Sequence, residues 1–366
     1  MEGFRVSDYF IGQMSGTSLD GVDSVLMTFT EAGAQIVASH HLDFPTPLKN
    51  DILALCSEGH NELDRSQKLA NSIADIYAES IEQLLLHSQV ERHHIKAIGA
   101  HGQTIRHMPP EYTVQAINGA RLAEKTGITV ITDFRSRDLA AGGQGAPLVP
   151  AFHKFLFQSE SENTVVVNIG GMANISVLSG DGSVTGYDTG PGNVLMDAWF
   201  SCHLNGEYDE DGNWARCGEV IPELLDAFLA EPYFSLPAPK STGRERFDMS
   251  WLLEYEPHDY ASEDVQATLL MLSAQSIANE VRRQPDVSQV IVCGGGAYNG
   301  ELMVRLATLL PKQAVKTSDE LGLDAQAIEA LAFGWLAQRC LSGLSGNVPE
   351  VTGAKGERVL GAIYPS

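Results

Sequence analysis

At 366 residues, and with domains usually near roughly 150 residues, the chain is expected to hold two domains. Hydrophobic residues make up 43% and charged residues 19%, which supplies buried cores and excludes a disordered chain. With 24 Lys and Arg against 47 Asp and Glu the net charge is -23, a field that repels nucleic acid and anionic lipid, so neither is an expected partner. The opening stretch MEGFRVSDYFIGQMSG has no basic region with a long apolar run and cleavage site, and no later run is apolar enough to cross a bilayer. Cys56, Cys202, Cys217, Cys293 and Cys340 are scattered, with no CxxC pair, so a disulfide framework or zinc knuckle is not expected and a reducing cytoplasm is.

In chain order, residues 9–11, 22–29 and 35–44 read as a β-meander whose first turn is unusually polar. Two helices follow Pro45 and Pro47. The second spans residues 61–87, with Leu63, Ala70, Ile73, Ile76, Tyr77, Ile81, Leu84 and Leu85 on one face that should pack on a sheet. Residues 95–100 and 128–131 are β-branched runs separated by a helix, so the first domain is α/β. The Gly-rich passage 133–150 (DFRSRDLAAGGQGAPLVP) suggests a domain junction, giving expected domains of residues 1–140 and 141–366, with a C-terminal helix returning to the first. Beyond it the opening theme recurs: strand 164–169, a Gly170-Gly171 turn, and return strand 175–178. Helices at 194–203, 219–229 and 263–283, a strand at 289–293, a helix at 299–309, a strand at 314–316 and a helix at 324–341 complete a second, similar half.

Five stretches could carry chemistry. Residues 16–21 (GTSLDG) place glycine, hydroxyls and an acid in a turn; an anion-binding loop and an ordinary hairpin turn account for it equally well. It is neither a P-loop nor a Rossmann fingerprint. Gly294, Gly295 and Gly296 follow a strand and open a helix, as a ligand-binding turn does. In YDTGPGN, Asp188 ends a strand before rigid turn residues, so it either points into a cleft as a general base or only braces its loop. His101-Gly102-Gln103-Thr104 and residues 132–138 lie at strand carboxyl ends, where substrates bind. Arg135 and Arg137 there could hold a carboxylate or pair with Asp133 or Asp138. The eleven histidines show no metal-ligand spacing, and His40-His41 and His93-His94 look like surface pairs.

Two phosphate-type hairpins and a late glycine turn resemble the actin, heat-shock-70 and hexokinase superfamily, which implies two related α/β, ribonuclease H-like domains with an ATP cleft between them. Within it, GQMSGTSLDGVD, AHGQT, TDFRSRDLAAGGQGAPLVP, NIGGMANIS, GYDTGPGN and CGGGAYN resemble the anhydro-N-acetylmuramic acid kinase family of bacteria from about residue 9 onward. The resemblance implies ATP-dependent opening of the 1,6-anhydro ring by water with phosphorylation of O6, giving N-acetylmuramic acid 6-phosphate and ADP in cell-wall recycling. It implies Asp188 as the base. Gly16, Thr17, Ser18, Leu19, Asp20, Gly21, Val22 and Asp23 with Gly170 and Gly171 would hold the phosphates, and Gly294, Gly295, Gly296 and Asn299 the adenosine. Mg²⁺ would offset phosphate charge, with no direct protein ligand assigned. His101, Gln103, Asp133, Arg135, Asn168, Asn174 and Glu329 become sugar contacts, although as a helix-surface acid Glu329 needs no such role. A homodimer is implied too. The alternatives are a plain sugar or carboxylate kinase of this fold and a non-catalytic ATP-driven switch.

Overall fold

The computed structural model describes residues 8–16, 18–30, 33–243 and 246–366. In chain order it forms β1 (Tyr9–Met14), β2 (Gly21–Thr30), β3 (Gly33–Asp43), α1 (Thr46–Cys56), α2 (Glu62–Ser88), β4 (Ile95–Ala100), β5 (Gln103–Met108), β6 (Tyr112–Ala116), α3 (Gly119–Thr126), β7 (Val130–Thr132), α4 (Ser136–Ala140) and α5 (Val149–Phe157). Next come β8 (Asn163–Ile169), β9 (Met172–Leu178), β10 (Val184–Pro191), α6 (Val194–His203), α7 (Pro222–Leu229), α8 (Met249–Leu253), α9 (Ser262–Arg282), β11 (Val287–Cys293), α10 (Gly300–Leu309) and β12 (Ala314–Thr317). The last elements are α11 (Ile328–Leu341), α12 (Pro349–Thr352) and β13 (Ala362–Tyr364). Two compact units result: Met1–Leu156 with Ala327–Ser366, and Phe157–Gln326.

The first unit's sheet runs β13-β7-β4-β1-β2-β3, and the second unit's runs β10-β9-β8-β11-β12. In each, an antiparallel three-stranded meander is extended by strands parallel to its first member. Setting aside β13, both sheets have the strand order 3-2-1-4-5. The central strands are apolar on both faces because both are covered: Val165, Val166 and Val167 of β8 are all buried. The edge strand β3 instead alternates half-buried with exposed residues, as one wet face requires.

Helix α11 sits directly on β1 and β4. Close approach needs glycine: a Cβ on Gly12 would fall on the Ala330 carbonyl oxygen, and one on Gly99 on that of Phe333. A Gly99→Val substitution is therefore expected to lower the first unit's denaturation midpoint by the equivalent of about 3 kcal/mol, measured by urea titration, because backbone must move to admit the side chain. An unchanged midpoint would show that α11 is not so tightly seated.

Several boundaries differ from expectation. Helix α2 starts at Glu62, but Leu63 is 78% exposed and the helix's core contact begins at Leu69, nearly two turns past the start of the apolar pattern. The passage 133–150 is not an open junction, since α4 and the start of α5 lie in it. Phe152 is buried, and Phe155 stacks on Trp335 of α11 with centroids 5.8 Å apart, so the contacts that divide the chain change at Leu156, not at residue 140. Gln103 and Thr104 belong to the hairpin β5–β6. Helix α11 begins at Ile328 because residues 324–326 form a turn, in which Asp324 Oδ1 accepts from the Gln326 amide at 2.9 Å.

Candidate functional site

In the first unit the turn after β1 is built on a buried polar net. Gln13 Nε2 donates to Ser24 Oγ (2.8 Å) and to the Tyr77 carbonyl (3.0 Å), and Ser15 Oγ shares a 2.8 Å bond with the Tyr77 hydroxyl. Gln103 Nε2 holds the Gly16 carbonyl at 3.1 Å. Within the turn, Asp20 Oδ1 accepts from Ser18 Oγ (2.7 Å) and from the Gly21 amide (3.0 Å), and Leu19 adopts φ 62. The amides of Gly21 and Leu19 are thus engaged locally, the latter by the Gly16 carbonyl at 3.4 Å. Not every N–H of residues 16–21 faces outward for an anion. The Val22 side chain is fully buried, so only its main chain could meet a ligand. Thr17 lies outside the described residues. Asp23 pairs with His41 Nδ1 at 2.7 Å, and that bond, the largest cause, pushes the imidazole pKa up to about 9. His41 is exposed as expected but tied to the hairpin, whereas His40 is half-buried.

The same unit holds a polar cluster around Arg135. Arg135 Nε and Nη2 donate to His101 Nε2 at 3.1 and 2.9 Å, and Arg135 Nη1 to the Gly145 carbonyl at 2.8 Å. Arg135 therefore bonds to neither Asp133 nor Asp138. Asp133 is exposed at a positive φ of 55, and the buried Asp138 carboxylate is taken by Asn347, Thr352 and the Gly145 amide. Burial first, then the Arg135 charge, hold His101 far below the ordinary imidazole range, so the ring is neutral. Burial also lowers Arg135 to about 10. Glu329, in the first turn of α11, is not a free helix-surface acid: it is half-buried, desolvation raises its pKa, and Arg135 opposes that rise while Asp23 adds to it. His101 Nδ1 and Gln103 Oε1 are buried and lack hydrogen-bond partners among the described residues. Two such atoms beside one cluster mark a place where a polar ligand would complete the bonding.

In the second unit three expected residues share one row of the sheet. Cys293 of β11 opposes Asn168 of β8, Asn168 opposes Asn174 of β9, and Asn174 opposes Asp188 of β10. Directly opposed residues lie on the same face, so Asn168, Asn174 and Asp188 stand side by side, each half-buried. Strand β10 does not stop at Asp188 but runs to Pro191, with a register shift between Asp188 and Gly190; such a bulge re-aims side chains. Asp188 Oδ2 accepts from Ser241 Oγ and from the Thr242 amide, both at 3.0 Å. Its main chain is held as well, the amide donating to the Lys240 carbonyl (3.1 Å) and the carbonyl accepting from the Tyr233 hydroxyl (2.8 Å).

The glycine turns are more occupied than their sequences suggest. The Gly170 carbonyl accepts from the Asn193 amide and the Gly171 carbonyl from Gly192 and Val194, so this hairpin caps the start of α6. Gly294 (φ 81) and Gly296 pack against Asn168 and Ile169, leaving Gly295 the most open of the three. The turn does not open α10 directly, because a 3₁₀ turn over Gly295–Tyr298 intervenes, and Asn299 is the N-cap, its Oδ1 accepting from the Leu302 amide at 3.0 Å. Sequence reasoning missed Tyr233, Lys240, Ser241 and Thr242. They lie in a stretch without periodicity or motif, and no local signal marks their approach to a residue about fifty positions away.

Two copies of the sheet order 3-2-1-4-5, each with a glycine-bearing turn after its first strand, define the duplicated ribonuclease H-like fold of the actin and hexokinase class. The family model for anhydro-N-acetylmuramic acid kinase matches residues 8–366. An anhydro-N-acetylmuramic acid kinase of Chromobacterium violaceum is 52% identical over 366 residues, covering 98% of this chain and 100% of that one. Those of Nitrosomonas europaea and Pseudomonas paraeruginosa are 48% and 49% identical, each covering 98% of this chain and 100% and 99% of theirs. The chain belongs to the anhydro-N-acetylmuramic acid kinase family. No helix among the described residues is long and apolar enough to cross a membrane.

Proposed function

We propose that this chain uses ATP and water to convert 1,6-anhydro-N-acetylmuramic acid to N-acetylmuramic acid 6-phosphate and ADP, in peptidoglycan recycling and amino-sugar catabolism. The observation that carries the reading is relatedness near 50% identity along essentially the whole chain to kinases of that name. Asp188 takes a proton from water as the water oxygen bonds to the anomeric carbon. The bond from that carbon to O6 breaks, and O6 accepts the γ-phosphoryl group as ADP leaves. The support for Asp188 is its fixed carboxylate, with donors on Oδ2 and amide side chains beside it in the row.

From the first unit we assign the turn 16–21 and Asp23 to the phosphates, and His101, Gln103, Arg135 and Glu329 to the sugar, with Asp133 at the rim. From the second we assign Gly170 and Gly171 to phosphate, Gly294, Gly295 and Gly296 to adenosine, and Asn168 and Asn174 to the sugar. Asn299 supports the adenosine turn as a helix cap. Mg²⁺ would travel with the ATP phosphates and neutralise their charge. A cytoplasmic location and a homodimer belong to the same reading, the first resting on the scattered cysteines and the second on the family resemblance.

The test is mass spectrometry of products formed from the anhydro sugar, ATP and Mg²⁺ in ¹⁸O water. Label at the anomeric hydroxyl and phosphate on O6 are expected. A phosphorylated product with its bridge intact would demote the chain to a plain sugar kinase, and ATP hydrolysis indifferent to the sugar would make it a switch.

A further inference from the structure

We infer that Lys240 is a positioning residue for Asp188: its buried ion pair with Glu280 fixes the segment whose next two residues grip the Asp188 carboxylate. The inference rests on the proposed reading of Asp188 as the base. Lys240 Nζ lies 2.7 Å from Glu280 Oε1, with side-chain exposures of 2% and 4%. The ammonium also stands 4.9 Å from the centroid of the Tyr233 ring, the same tyrosine whose hydroxyl donates to the Asp188 carbonyl. Glu280, on the long helix α9, is itself held by the Tyr187 hydroxyl on Oε2 (3.1 Å) and by Arg283 on Oε1 (2.6 Å). The neighbour of Asp188 in β10 and the segment facing Asp188 are therefore anchored to one carboxylate.

From that anchor the geometry is short. The Lys240 carbonyl accepts from the Asp188 amide, and the following Ser241 hydroxyl and Thr242 amide both reach Oδ2. A buried ion pair is a poor device for stability alone, because apolar side chains of similar volume usually serve as well. What it supplies is a fixed distance between a helix and an otherwise irregular segment. Donors on the carboxylate favour its ionised form. The titratable groups that act on Tyr233 are Asp188, Glu280, Arg246 and Tyr187, and Lys240 joins the ion pair to the strap because it lies in that segment itself.

The experiment compares Lys240→Met, Lys240→Met/Glu280→Met and Ser241→Ala with the parent in the full-length chain, reading kcat, both KM values, the acid limb of the kcat–pH profile and the melting temperature. Lys240→Met is expected to lower kcat on the order of 30-fold, leave the KM for ATP within about twofold and move the acid limb to higher pH, since donors to the ionised carboxylate are lost. The double variant is expected to recover the melting temperature, its buried charges gone, while kcat stays low. Recovery of both would assign the pair a purely structural role and overturn the inference. So would a Lys240→Met enzyme with kcat within about twofold of the parent and an unmoved acid limb. If Lys240→Met does not fold, the double variant decides, because it removes the ion pair without leaving a buried charge: a low kcat with the acid limb moved to higher pH supports the inference, and a parental kcat with an unmoved limb rejects it. An Asp188→Asn enzyme that stays active defeats the base and the strap together, whereas an inactive one beside normal Lys240→Met and Ser241→Ala enzymes defeats the strap alone.

Discussion

Asp188→Asn is expected to lower sugar-dependent ADP formation about a thousandfold, the range associated with removing a general base, while ATP affinity stays near the parent value. The separation of the two effects comes from the local geometry. The asparagine side-chain oxygen can still accept from Ser241 Oγ and the Thr242 amide, so the strap and the bulge of β10 keep their places and only the proton acceptor is lost. Calorimetric titration with a non-hydrolysable ATP analogue and a single-turnover phosphoryl-transfer assay measure the two quantities independently. An Asp188→Asn enzyme with turnover within tenfold of the parent would reject the base assignment. Loss of ATP binding as well would instead place Asp188 among the phosphate contacts.

Replacing Arg135 by alanine is expected to raise the KM for the sugar and lower kcat together, with kcat/KM down on the order of 100-fold, and to destabilise the first unit by about 2 kcal/mol or more at neutral pH. The guanidinium is the donor to His101 Nε2 and the cation that opposes the rise of the Glu329 pKa. Without it, a neutral imidazole loses its partner and a half-buried carboxylate loses its compensating charge. The pH dependence has a definite sign. The folded-state pKa of Glu329 already lies above the ordinary 4.5, so its ionisation disfavours the folded state as pH rises through that value, and removing Arg135 enlarges the penalty. The stability gap between parent and Arg135→Ala should therefore narrow as pH falls through the folded-state value and on below the ordinary 4.5, where Glu329 becomes protonated in the folded and unfolded chains alike. Urea midpoints across that range measure it. A gap independent of pH would mean that Glu329 does not sense Arg135.

The fold was legible wherever a signal was local and repeated. Runs such as residues 164–167 and 290–292 are β-branched and uninterrupted, so they read as covered central strands, and both are buried in the second sheet. The two meanders with glycine turns showed the duplication without any repeat of sequence. Helix faces were read less well at their ends: Leu63 completes the apolar pattern of α2 yet is exposed, and the buried face begins only at Leu69. Residues 324–327 carry a helix-like composition, but Asp324 and Ala325 are bonded into the turn that joins β11.

The candidate site divides along the same line. By itself the amino-acid order determined the turns, the acid in YDTGPGN, the strand runs that carry Asn168 and Asn174, and the family, because each lies in a contiguous stretch whose backbone demands are met by its own glycines and hydroxyls. Only tertiary structure decided that Glu329 is withdrawn from water beside Arg135, that Arg135 serves His101 and not the nearby aspartates, and that Lys240, Ser241 and Thr242 close on Asp188. The physical reason is that burial and partner choice depend on what another element brings from far along the chain. A carboxylate's charge is written in its residue type, but its solvation and its donors are set by the packing of α9 and α11 against their sheets.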